Sequence, residues 1–448
     1  MLLSIEKLIY GGDGLARTTA AADGRSMAVF VPFVLPGERV EVQIREEKTG
    51  FARATATRLV EPSHERIEAR CPYFQHCGGC HYQHIPYERQ LEFKAQILRE
   101  TLERVGKIRL ENEIRVHPSP PWNYRNRTRL QVRSGQQMSV EIAATGGANN
   151  SPFALGYYRF GSRDFLPVGE CPISSPLINR VLARVIELGG MDCPPAVEEL
   201  ELFARACDEN LLAWAFCRRD ADKNDLLRWA ETILRELPSV IGVHFFSSRR
   251  RAEDEAPTDV ELLEQVGSKS INYRTKLDQY QVGAGAFFQT NRHLVDELVS
   301  VVTGNVSGDV ALDLYAGVGL FSAPLARSFH HIFAVEVSQT SFHNLKQNVP
   351  ASVKAVGART EIYLGSRDVR KRPDLVVLDP PRTGAGKSVT RSLIELRAQR
   401  IRYVSCDPAT LARDLAPLVA AGYRIEEAHL FDFFPQTFHI ESVILLAR

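Results

Sequence analysis

The sequence predicts an α/β protein with an added β-barrel: an N-terminal OB-like barrel at residues 1–60, a central α+β domain at 61–284 and a C-terminal Rossmann-like domain at 285–448. Three observations lead to this prediction. Short strands with Gly and Pro turns are evenly spaced at the N-terminus, cysteines cluster soon afterwards, and strands alternate with helices from about residue 285. A chain of 448 residues is long enough for about three domains of ordinary size.

Composition is that of an ordinary globular protein, with 44% hydrophobic and 24% charged residues. No apolar run approaches the roughly 20 residues that a membrane helix needs. The N-terminal segment contains Glu6 and lacks the apolar core of a signal peptide. We therefore expect a cytoplasmic monomer without membrane association. Because the net charge is only +1, any nucleic-acid site has to be a local patch.

The first sixty residues alternate between strand and turn signals. Strands are predicted at 5–9, 27–32, 39–45 and 51–60, and turns at Gly11–Gly14, Asp23–Gly24 and Pro36–Gly37. This spacing is typical of an OB-type barrel. Many such barrels bind nucleic acid, and a structural or protein-binding role is the alternative.

Cys71, Cys77 and Cys80 lie within ten residues, and two glycines between the last two let the loop wrap around one centre. Cys171 is the best candidate for a fourth ligand, although three histidines compete for that place on spacing alone: His76, His81 and His84. Four thiolates suit an iron–sulfur cluster or a structural zinc ion, and the spacing does not choose between them. Three exposed free thiols are a poor alternative because they would be prone to oxidation.

An alternating segment at 124–133 is predicted to be a strand with four arginines on one face, namely Arg125, Arg127, Arg129 and Arg133. A solvated face and a phosphate-binding track are equally good interpretations. Three other cysteines lack ligand-like spacing and are predicted to be core residues, namely Cys193, Cys207 and Cys217. The segments 136–151 and 249–259 are predicted loops.

The first strands of the C-terminal third indicate a ligand site. The strand predicted at 310–314 runs into a turn with Gly317 and Gly319, which permit a close backbone approach to a ligand. The strand predicted at 331–335 ends in Glu336, an acidic residue placed to bind ribose hydroxyls. The turn lacks the third glycine of a dinucleotide-binding loop. The pattern therefore favours an adenosyl ligand without a pyrophosphate over NAD.

Two later strands end in loops with reactive side chains. One is predicted to end at Asp379, where the prolines of LDPPR forbid further pairing. The strand predicted at 401–404 is followed by Cys406, and a helix should begin at Pro408 with Asp407 as its N-cap. The nearby helix N-terminus favours a Cys406 thiolate beside a ligand crevice. A buried structural cysteine is the alternative.

Glu441 stands at the start of the last apolar run, which is predicted to be a terminal strand from Ser442 onwards. It is either a plain strand-end charge or a general base. The second interpretation requires that the fold bring Glu441 to Cys406.

These stretches together resemble the RNA 5-methyluridine methyltransferases, S-adenosylmethionine-dependent enzymes that methylate uracil C5 in tRNA and 23S rRNA. The matching stretches are AFFQTN (286–291), DLYAGVGLF, the Glu336 position, LDPPR, YVSCDPATLARDL and FPQTFHIES. The barrel resembles a TRAM domain, and PSHERIEARCPYFQHCGGC resembles the iron–sulfur region of that family. The resemblance covers nearly the whole chain and is weakest from about 180 to 270.

The resemblance implies roles for individual residues. Cys406 is the nucleophile that attacks uracil C6, and Glu441 is the base that removes the C5 proton. The implied S-adenosylmethionine contacts are Gln289, Tyr315, Gly317, Glu336 and Asp379. The implied ligands of a [4Fe–4S] cluster, with zinc as the second choice, are Cys71, Cys77, Cys80 and Cys171.

The chain departs from the family pattern at Asp407 and Leu320, where asparagine is frequent. Leu320 removes a polar cofactor contact, and Asp407 adds a negative charge that should raise the pKa of the nucleophile. Members with both a TRAM domain and a cluster act on 23S rRNA, so the resemblance favours that RNA over tRNA.

The implied chemistry needs one thiol and one carboxylate. Thiolate addition at C6 makes C5 nucleophilic, and a base then removes the C5 proton so that the thiolate can leave. The target base has to leave its stack first. Three other interpretations stay open. The first is a methyltransferase that acts on a base amine or a protein side chain, because LDPPR resembles the D/N-PP-Y/F motif. The others are a non-catalytic RNA-binding module and a structural zinc protein.

Overall fold

The computed structural model describes residues 1–18, 26–134, 153–247, 261–366, 369 and 372–448. The turn predicted at Asp23–Gly24 and the loops predicted at 136–151 and 249–259 lie outside the described residues. Within the described ranges, no helix combines the length and the apolar character needed to span a bilayer.

The N-terminal strands close into a barrel. They are β1 (Leu2–Leu8), β2 (Asp13–Arg17), β3 (Ala28–Pro32), β4 (Arg39–Lys48) and β5 (Phe51–Glu61). Their order around the barrel is β1-β2-β3-β5-β4. The predicted barrel is confirmed, but β2 was missed because the predicted turn Gly11–Gly14 is shorter than expected. Asp13 already pairs with Pro32 of β3.

A long helix and a short strand follow the cysteine segment, namely α1 (Tyr87–Gly106) and β6 (Ile114–His117). Apolar residues recur with helical spacing along α1, and Phe93, Ile97 and Leu98 lie in its buried stripe. This stripe packs into the core of the C-terminal sheet. Helix α1 thereby joins the C-terminal part of the molecule.

A seven-stranded sheet forms the centre, in the order β13-β12-β11-β10-β7-β8-β9. Its strands are β7 (Arg127–Ser134), β8 (Phe153–Tyr158), β9 (Phe165–Pro167), β10 (Val197–Ala204), β11 (Leu211–Cys217), β12 (Val240–Ser247) and β13 (Leu262–Gly267). Its helices are α2 (Pro176–Glu187) and α3 (Lys223–Glu236). Ser175 caps α2 and Asp222 caps α3 through side-chain hydrogen bonds, which accounts for where these helices begin.

The arginine face of β7 is paired with acidic and aromatic side chains. Arg127 and Arg129 both form ion pairs with Glu201 of β10. The Arg127 guanidinium lies 4.4 Å from the centre of the Trp214 ring, and that of Arg129 lies 4.1 Å from the Phe216 ring. Arg125 was predicted on the same face but lies before β7, which begins at Arg127. Because two of the other three guanidinium groups are neutralised in this way, the face is not an open phosphate track.

Two of the three cysteines predicted to be core residues are buried, namely Cys193 and Cys217. The prediction is wrong for Cys207, which is exposed. Cys207 lies in the turn that joins β10 to β11, where the side chain has no layer to pack against.

The C-terminal part is a Rossmann-like sheet in the order β18-β17-β16-β19-β20-β22-β21-β6, preceded by the hairpin β14 (Ser270–Arg274) and β15 (Gln279–Gly283). Its strands are β16 (Gly308–Leu314), β17 (Phe329–Glu336), β18 (Val353–Gly357), β19 (Leu375–Leu378), β20 (Arg400–Ser405), β21 (Arg424–Phe431) and β22 (Glu441–Ala447). Its helices are α4 (Val295–Thr303), α5 (Ser322–Leu325), α6 (Gln339–Asn348), α7 (Thr360–Leu364), α8 (Gly386–Leu396) and α9 (Pro408–Ala420).

Both faces of this sheet are buried. Along β19, Val376 and Leu378 point into one apolar core, whereas Leu375 and Val377 point into the other. Strands β16 to β20 are parallel, as is usual for a sheet covered on both faces. Their carboxyl ends therefore meet at one edge, where ligands bind in open α/β sheets.

Candidate active site

The motifs found in the sequence meet at this edge. Strand β16 leads into Tyr315, β17 ends in Glu336, β19 is followed by Asp379 and β20 by Cys406. The register aligns these strand ends, because Leu314 pairs with both Val335 and Leu378. Motifs that are far apart in the sequence therefore lie next to one another along this edge of the sheet.

The antiparallel pair β20–β22 adds the last member of the row. Ser405 at the end of β20 pairs with Ser442 near the start of β22. Cys406 follows Ser405 and Glu441 precedes Ser442, so these two residues lie side by side at the end of the ladder. Glu441 is only 6% exposed. The fold thus meets the condition that a base role for Glu441 required.

Electrostatics at this pair oppose ionisation. Burial, with Glu441 and Asp379 next, raises the pKa of the Cys406 thiol to about 12, and Arg382 acts in the opposite direction. Burial and Asp379 also hold the pKa of Glu441 well above its usual range. The expectation that the α9 N-terminus favours a Cys406 thiolate is therefore wrong for this structure. A helix end carries only about half a unit charge, which burial and several carboxyl groups outweigh.

The loop that carries Cys406 is held by its own hydrogen bonds. Asp407 caps α9 as predicted, since its carboxylate accepts hydrogen bonds from the backbone N–H groups of Ala409 (3.0 Å) and Thr410 (2.8 Å). The Ser405 hydroxyl accepts from the Asp407 N–H and donates to the Asp407 carbonyl oxygen. The negative charge of Asp407 is thus directed at the helix N-terminus.

The ends of β16 and β17 form a second, adjoining group. The Glu336 carboxylate accepts hydrogen bonds from the N–H groups of Gly317 (2.8 Å) and Ser338 (2.7 Å). Tyr315 has a φ of 65°, a left-handed conformation that is uncommon for tyrosine. Gly317 faces open space, because an added Cβ would meet nothing within 4 Å. The turn therefore leaves room for a ligand against its backbone.

Carboxyl groups crowd this edge. Burial raises the pKa of Asp313 to about 7, and Glu336 adds to the shift. Burial and the neighbouring Asp313 raise the pKa of Asp379 to about 7 as well. Within the described part of the chain, Oδ1 of Asp313 is buried without a hydrogen-bond partner. Such a site favours a cationic ligand, which would relieve the repulsion between the carboxylates.

Gln289 is buried in the segment between β15 and α4. This segment is held to the start of β7, because Asn126 N–H donates to the Thr290 carbonyl oxygen (3.0 Å) and Arg127 donates to that of Ala286 (2.8 Å). Its neighbour Phe288 packs in the same core as Val318. The central sheet thereby positions a predicted cofactor contact.

Three residues at this edge had no role in the sequence-based prediction, namely Arg382 and Tyr10, which lie near Cys406, and Asp313, which lies near Asp379. The charge of Arg382 acts to lower the pKa of both Cys406 and Glu441. Its position in the LDPPR motif could have indicated that it belongs to the site. Asp313 also lies inside a recognised motif. Tyr10 is different: its hydroxyl donates to the Cys406 carbonyl oxygen (3.3 Å) across 396 residues, and no local pattern indicates this contact.

The four predicted cysteine ligands lie together. Cys80 and Cys171 pack in a small apolar group with Tyr124 and Ile173. Besides burial, Cys171 contributes to the raised pKa of the other three thiols.

The three histidines that compete for the place of a fourth ligand have other neighbours. The His81 ring lies 4.6 Å from the Phe438 ring, the His84 ring lies 5.5 Å from the Phe74 ring, and His76 is exposed. Among the described residues, no three His, Cys, Asp or Glu side chains are placed to hold a single metal ion.

Comparison with known proteins identifies the family. Residues 257–448 match the family model of tRNA (Uracil-5-)-methyltransferase, and residues 1–57 match that of the TRAM domain. The 23S rRNA (uracil(1939)-C(5))-methyltransferase RlmD of Chromohalobacter salexigens is 32% identical over 455 residues, which cover 100% of this chain and 89% of the relative. The chain belongs to the RNA 5-methyluridine methyltransferase family. This RNA methyltransferase is also 31% identical to an uncharacterized RNA methyltransferase of Aquifex aeolicus, over 99% of this chain and 97% of that one.

A solved structure with the same fold supports the architecture. The tRNA (uracil-54, C5)-methyltransferase of Pyrococcus abyssi, solved with S-adenosyl-L-homocysteine, has a TM-score of 0.73, covers 100% of both chains and is 24% identical. At this level of identity the likeness concerns the fold. The predicted family and the prediction that the chain is an enzyme are confirmed, which sets aside a non-catalytic RNA-binding module.

Proposed function

We propose that this RNA 5-methyluridine methyltransferase is an S-adenosylmethionine-dependent RNA uracil-C5 methyltransferase that works through a covalent bond from Cys406 to uracil C6. Glu441 is the base. The observation that carries the proposal is the pairing of Ser405 with Ser442, which sets a thiol and a carboxyl group side by side at the ligand-binding edge. An amine methyltransferase would need no such pair.

The reaction balances with these two groups. The Cys406 thiolate forms a bond to C6, and the C5=C6 electron pair moves toward C5 and the O4 carbonyl. C5 then takes the methyl group. The Glu441 carboxylate removes the C5 proton, the C6–S bond breaks, and the sulfur leaves with its electron pair as the thiolate. One proton is released to solvent in each cycle.

S-adenosylmethionine supplies, when bound, an electrophilic methyl group on a cationic sulfonium. The residues that would hold it are Gln289, Tyr315, Gly317, Glu336 and Asp379. The open space at Gly317 and the unpartnered oxygen of Asp313 fit such a ligand. Asp313 and Asp379 lose their protons more readily beside a bound cation.

The affinity for S-adenosylmethionine is expected to rise between pH 6 and pH 8. Burial brings the pKa of Asp313 and of Asp379 to about 7, and a bound cation lowers both, so binding below pH 7 has to release protons. Each proton released costs up to about tenfold in affinity per pH unit. Titration calorimetry in two buffers of different ionisation enthalpy measures this release.

S-adenosylhomocysteine is the matched control for this pH effect, because its sulfur carries no charge. Its affinity should depend less on pH, and Asp379→Asn should flatten the dependence for the cationic ligand. Equal pH slopes for both ligands would mean that these carboxyl groups do not respond to the sulfonium.

The RNA substrate is proposed to be 23S rRNA. Two relatives that match the chain over nearly its whole length, from Chromohalobacter salexigens and Shewanella denitrificans, carry that substrate in their names, at 32% and 29% identity. The Pyrococcus neighbour, a tRNA enzyme, makes tRNA the second candidate.

Cys71, Cys77, Cys80 and Cys171 are proposed to hold a [4Fe–4S] cluster. Four thiols gathered in one place suit iron–sulfur chemistry, and the resemblance to the iron–sulfur region of the family favours the cluster over zinc. The Arg125 guanidinium lies near Cys80 and Cys171, where it would offset the charge of the thiolates. Iron and acid-labile sulfide in anaerobically purified protein distinguish the cluster from zinc.

The decisive experiment gives purified enzyme and labelled S-adenosylmethionine to unmodified 23S rRNA and to tRNA in parallel, with Cys406→Ala as the control. Nucleoside mass spectrometry then measures 5-methyluridine. Label in rRNA that is lost in Cys406→Ala supports the mechanism and the substrate. Label found only in tRNA would show that tRNA, and not 23S rRNA, is the substrate. Methylation that persists in Cys406→Ala would contradict the covalent mechanism.

A further inference from the structure

The turn between β1 and β2 of the barrel reaches the catalytic edge. Residues 10–12 form this turn, in which the Gly12 N–H donates to the Ile9 carbonyl oxygen (3.2 Å). Gly11 and Gly12 have φ values of 108° and 93°, which side chains rarely allow. A Cβ on Gly12 would lie 3.2 Å from the His81 side chain, so the turn sits tightly against the cysteine segment.

The barrel is docked firmly enough to hold this turn in place. Leu8 at the end of β1 and Leu35 belong to the core that includes Ile401 of β20. Lys7 forms an ion pair with Glu100 of α1. The turn therefore projects from a packed interface.

Tyr10, at the tip, contacts the nucleophile loop directly. Its hydroxyl donates to the carbonyl oxygen of Cys406 (3.3 Å) and lies beside the Asp407 carboxylate. Its ring packs edge-on against Phe438, with ring centres 5.6 Å apart and planes at 88°. Phe438 in turn contacts the ring of His439, two residues before Glu441.

These contacts complete the support of the Cys406–Asp407 peptide. The Ser405 hydroxyl bonds to Asp407 from within the loop, and Asp407 caps α9. The Cys406 carbonyl oxygen receives its hydrogen bond from the barrel. Burial and Asp407 raise the pKa of Tyr10, which keeps the phenol protonated and able to donate.

We infer that Tyr10 is a positioning residue: through its hydrogen bond to the Cys406 carbonyl oxygen, the N-terminal barrel aims the nucleophile and completes the catalytic loop. The inference rests on the proposed role of Cys406. It gives the barrel a part in catalysis that is separate from RNA binding. The hydroxyl also lies beside the Asp407 carboxylate, whose charge opposes ionisation of Cys406, so losing this polar neighbour should make the thiolate harder to form.

Tyr10→Phe tests this role, because it removes the hydroxyl and keeps the ring on Phe438. The rate of covalent trapping by RNA that contains 5-fluorouridine is measured from pH 6 to pH 9, together with RNA affinity. We expect trapping to be about five- to tenfold slower, the size of one lost hydrogen bond. The pH profile should move to higher pH, and RNA affinity should stay within twofold.

Tyr158→Phe is the matched control, since it removes a hydroxyl that donates to Gln131 on the central sheet, away from the nucleophile. The effects of Tyr10→Phe and Asp407→Asn should be less than additive, because both act on one peptide. Phe438→Leu is the second variant if Tyr10→Phe fails to fold. It removes the ring beneath Tyr10 and should also slow trapping, and an undiminished rate would reject the inference.

Two further outcomes overturn the inference: a trapping rate and pH profile of Tyr10→Phe equal to wild type, or a rate loss matched by an equal loss of RNA affinity. Failure of the proposed function can be distinguished from failure of this inference, because in the first case the wild-type enzyme would form no covalent adduct with RNA. In that case the rate of Cys406 alkylation by iodoacetamide, measured on its peptide, still compares Tyr10→Phe with wild type. An unchanged alkylation rate would overturn the positioning role.

Discussion

Glu441→Gln is expected to stop turnover and to accumulate RNA that is covalently bound to Cys406. The amide has the shape of the carboxyl group but cannot accept the C5 proton, so the methylated adduct cannot eliminate. General-base catalysis contributes about 10²- to 10⁴-fold, and a loss of that size is expected in kcat. Gel-shift analysis under denaturing conditions, with mass spectrometry of the linked nucleotide, measures the adduct and its methyl group.

Glu427→Gln on β21 is the matched control, because it removes a partly exposed carboxylate that pairs with Arg115 on the neighbouring strand. It should leave turnover unchanged. If the adduct in Glu441→Gln lacks the methyl group, Glu441 acts in a step before methyl transfer. Wild-type turnover in Glu441→Gln would remove the residue from the mechanism.

Among these single substitutions, Lys94→Met is expected to lower the free energy of unfolding the most. Lys94 of α1 is 0% exposed, and its Nζ donates to the Asp432 carboxylate (2.6 Å) and to the Phe434 carbonyl oxygen (3.0 Å). Removing the cation leaves Asp432 as an unpaired buried charge, which costs about 3–5 kcal/mol. Urea denaturation measures the change in the free energy of unfolding, taken from the transition in which the C-terminal sheet unfolds.

The double variant Lys94→Met/Asp432→Leu should recover much of that loss, because it leaves no unpaired charge. Lys223→Met breaks an exposed ion pair with Glu264 and should cost no more than about 1 kcal/mol. A Lys94→Met protein within about 1 kcal/mol of wild type would show that Asp432 finds another partner or takes up a proton.

This ion pair also bears on catalysis, because it ties α1 to the loop that leads into Glu441. Gln90 of α1 adds to the attachment: its amide donates to Gln436, and its carbonyl oxygen accepts from the Gln436 N–H. A loss of activity in Lys94→Met is therefore expected at temperatures where the protein is still folded.

Local patterns were sufficient for much of the fold. Evenly spaced strands predicted the barrel, and Asp407 before Pro408 predicted the start of α9, because capping depends on neighbours two and three residues away. The motifs at Glu336, Asp379 and Cys406 could be placed at strand ends for the same reason. Parallel strands then bring their carboxyl ends to one edge without further information.

Contacts between distant segments had no such local signal. The sequence offered no sign that β6, far ahead of the C-terminal domain, pairs with β21 at the edge of its sheet. It also showed arginines at alternate positions along β7 but not Glu201 opposite two of them. Both depend on which strands become neighbours, and this is decided by packing across the whole molecule.

The sequence by itself determined the family and the strand ends that carry its motifs, since each is written in a short contiguous stretch. Only the tertiary structure decided that Ser405 pairs with Ser442, that Tyr10 reaches the Cys406 loop, and that burial and nearby carboxyl groups raise the pKa of the Cys406 thiol. The physical reason is that register, long-range hydrogen bonds and burial depend on residues hundreds of positions apart. A pKa in particular follows from the surroundings that the fold assembles around a side chain.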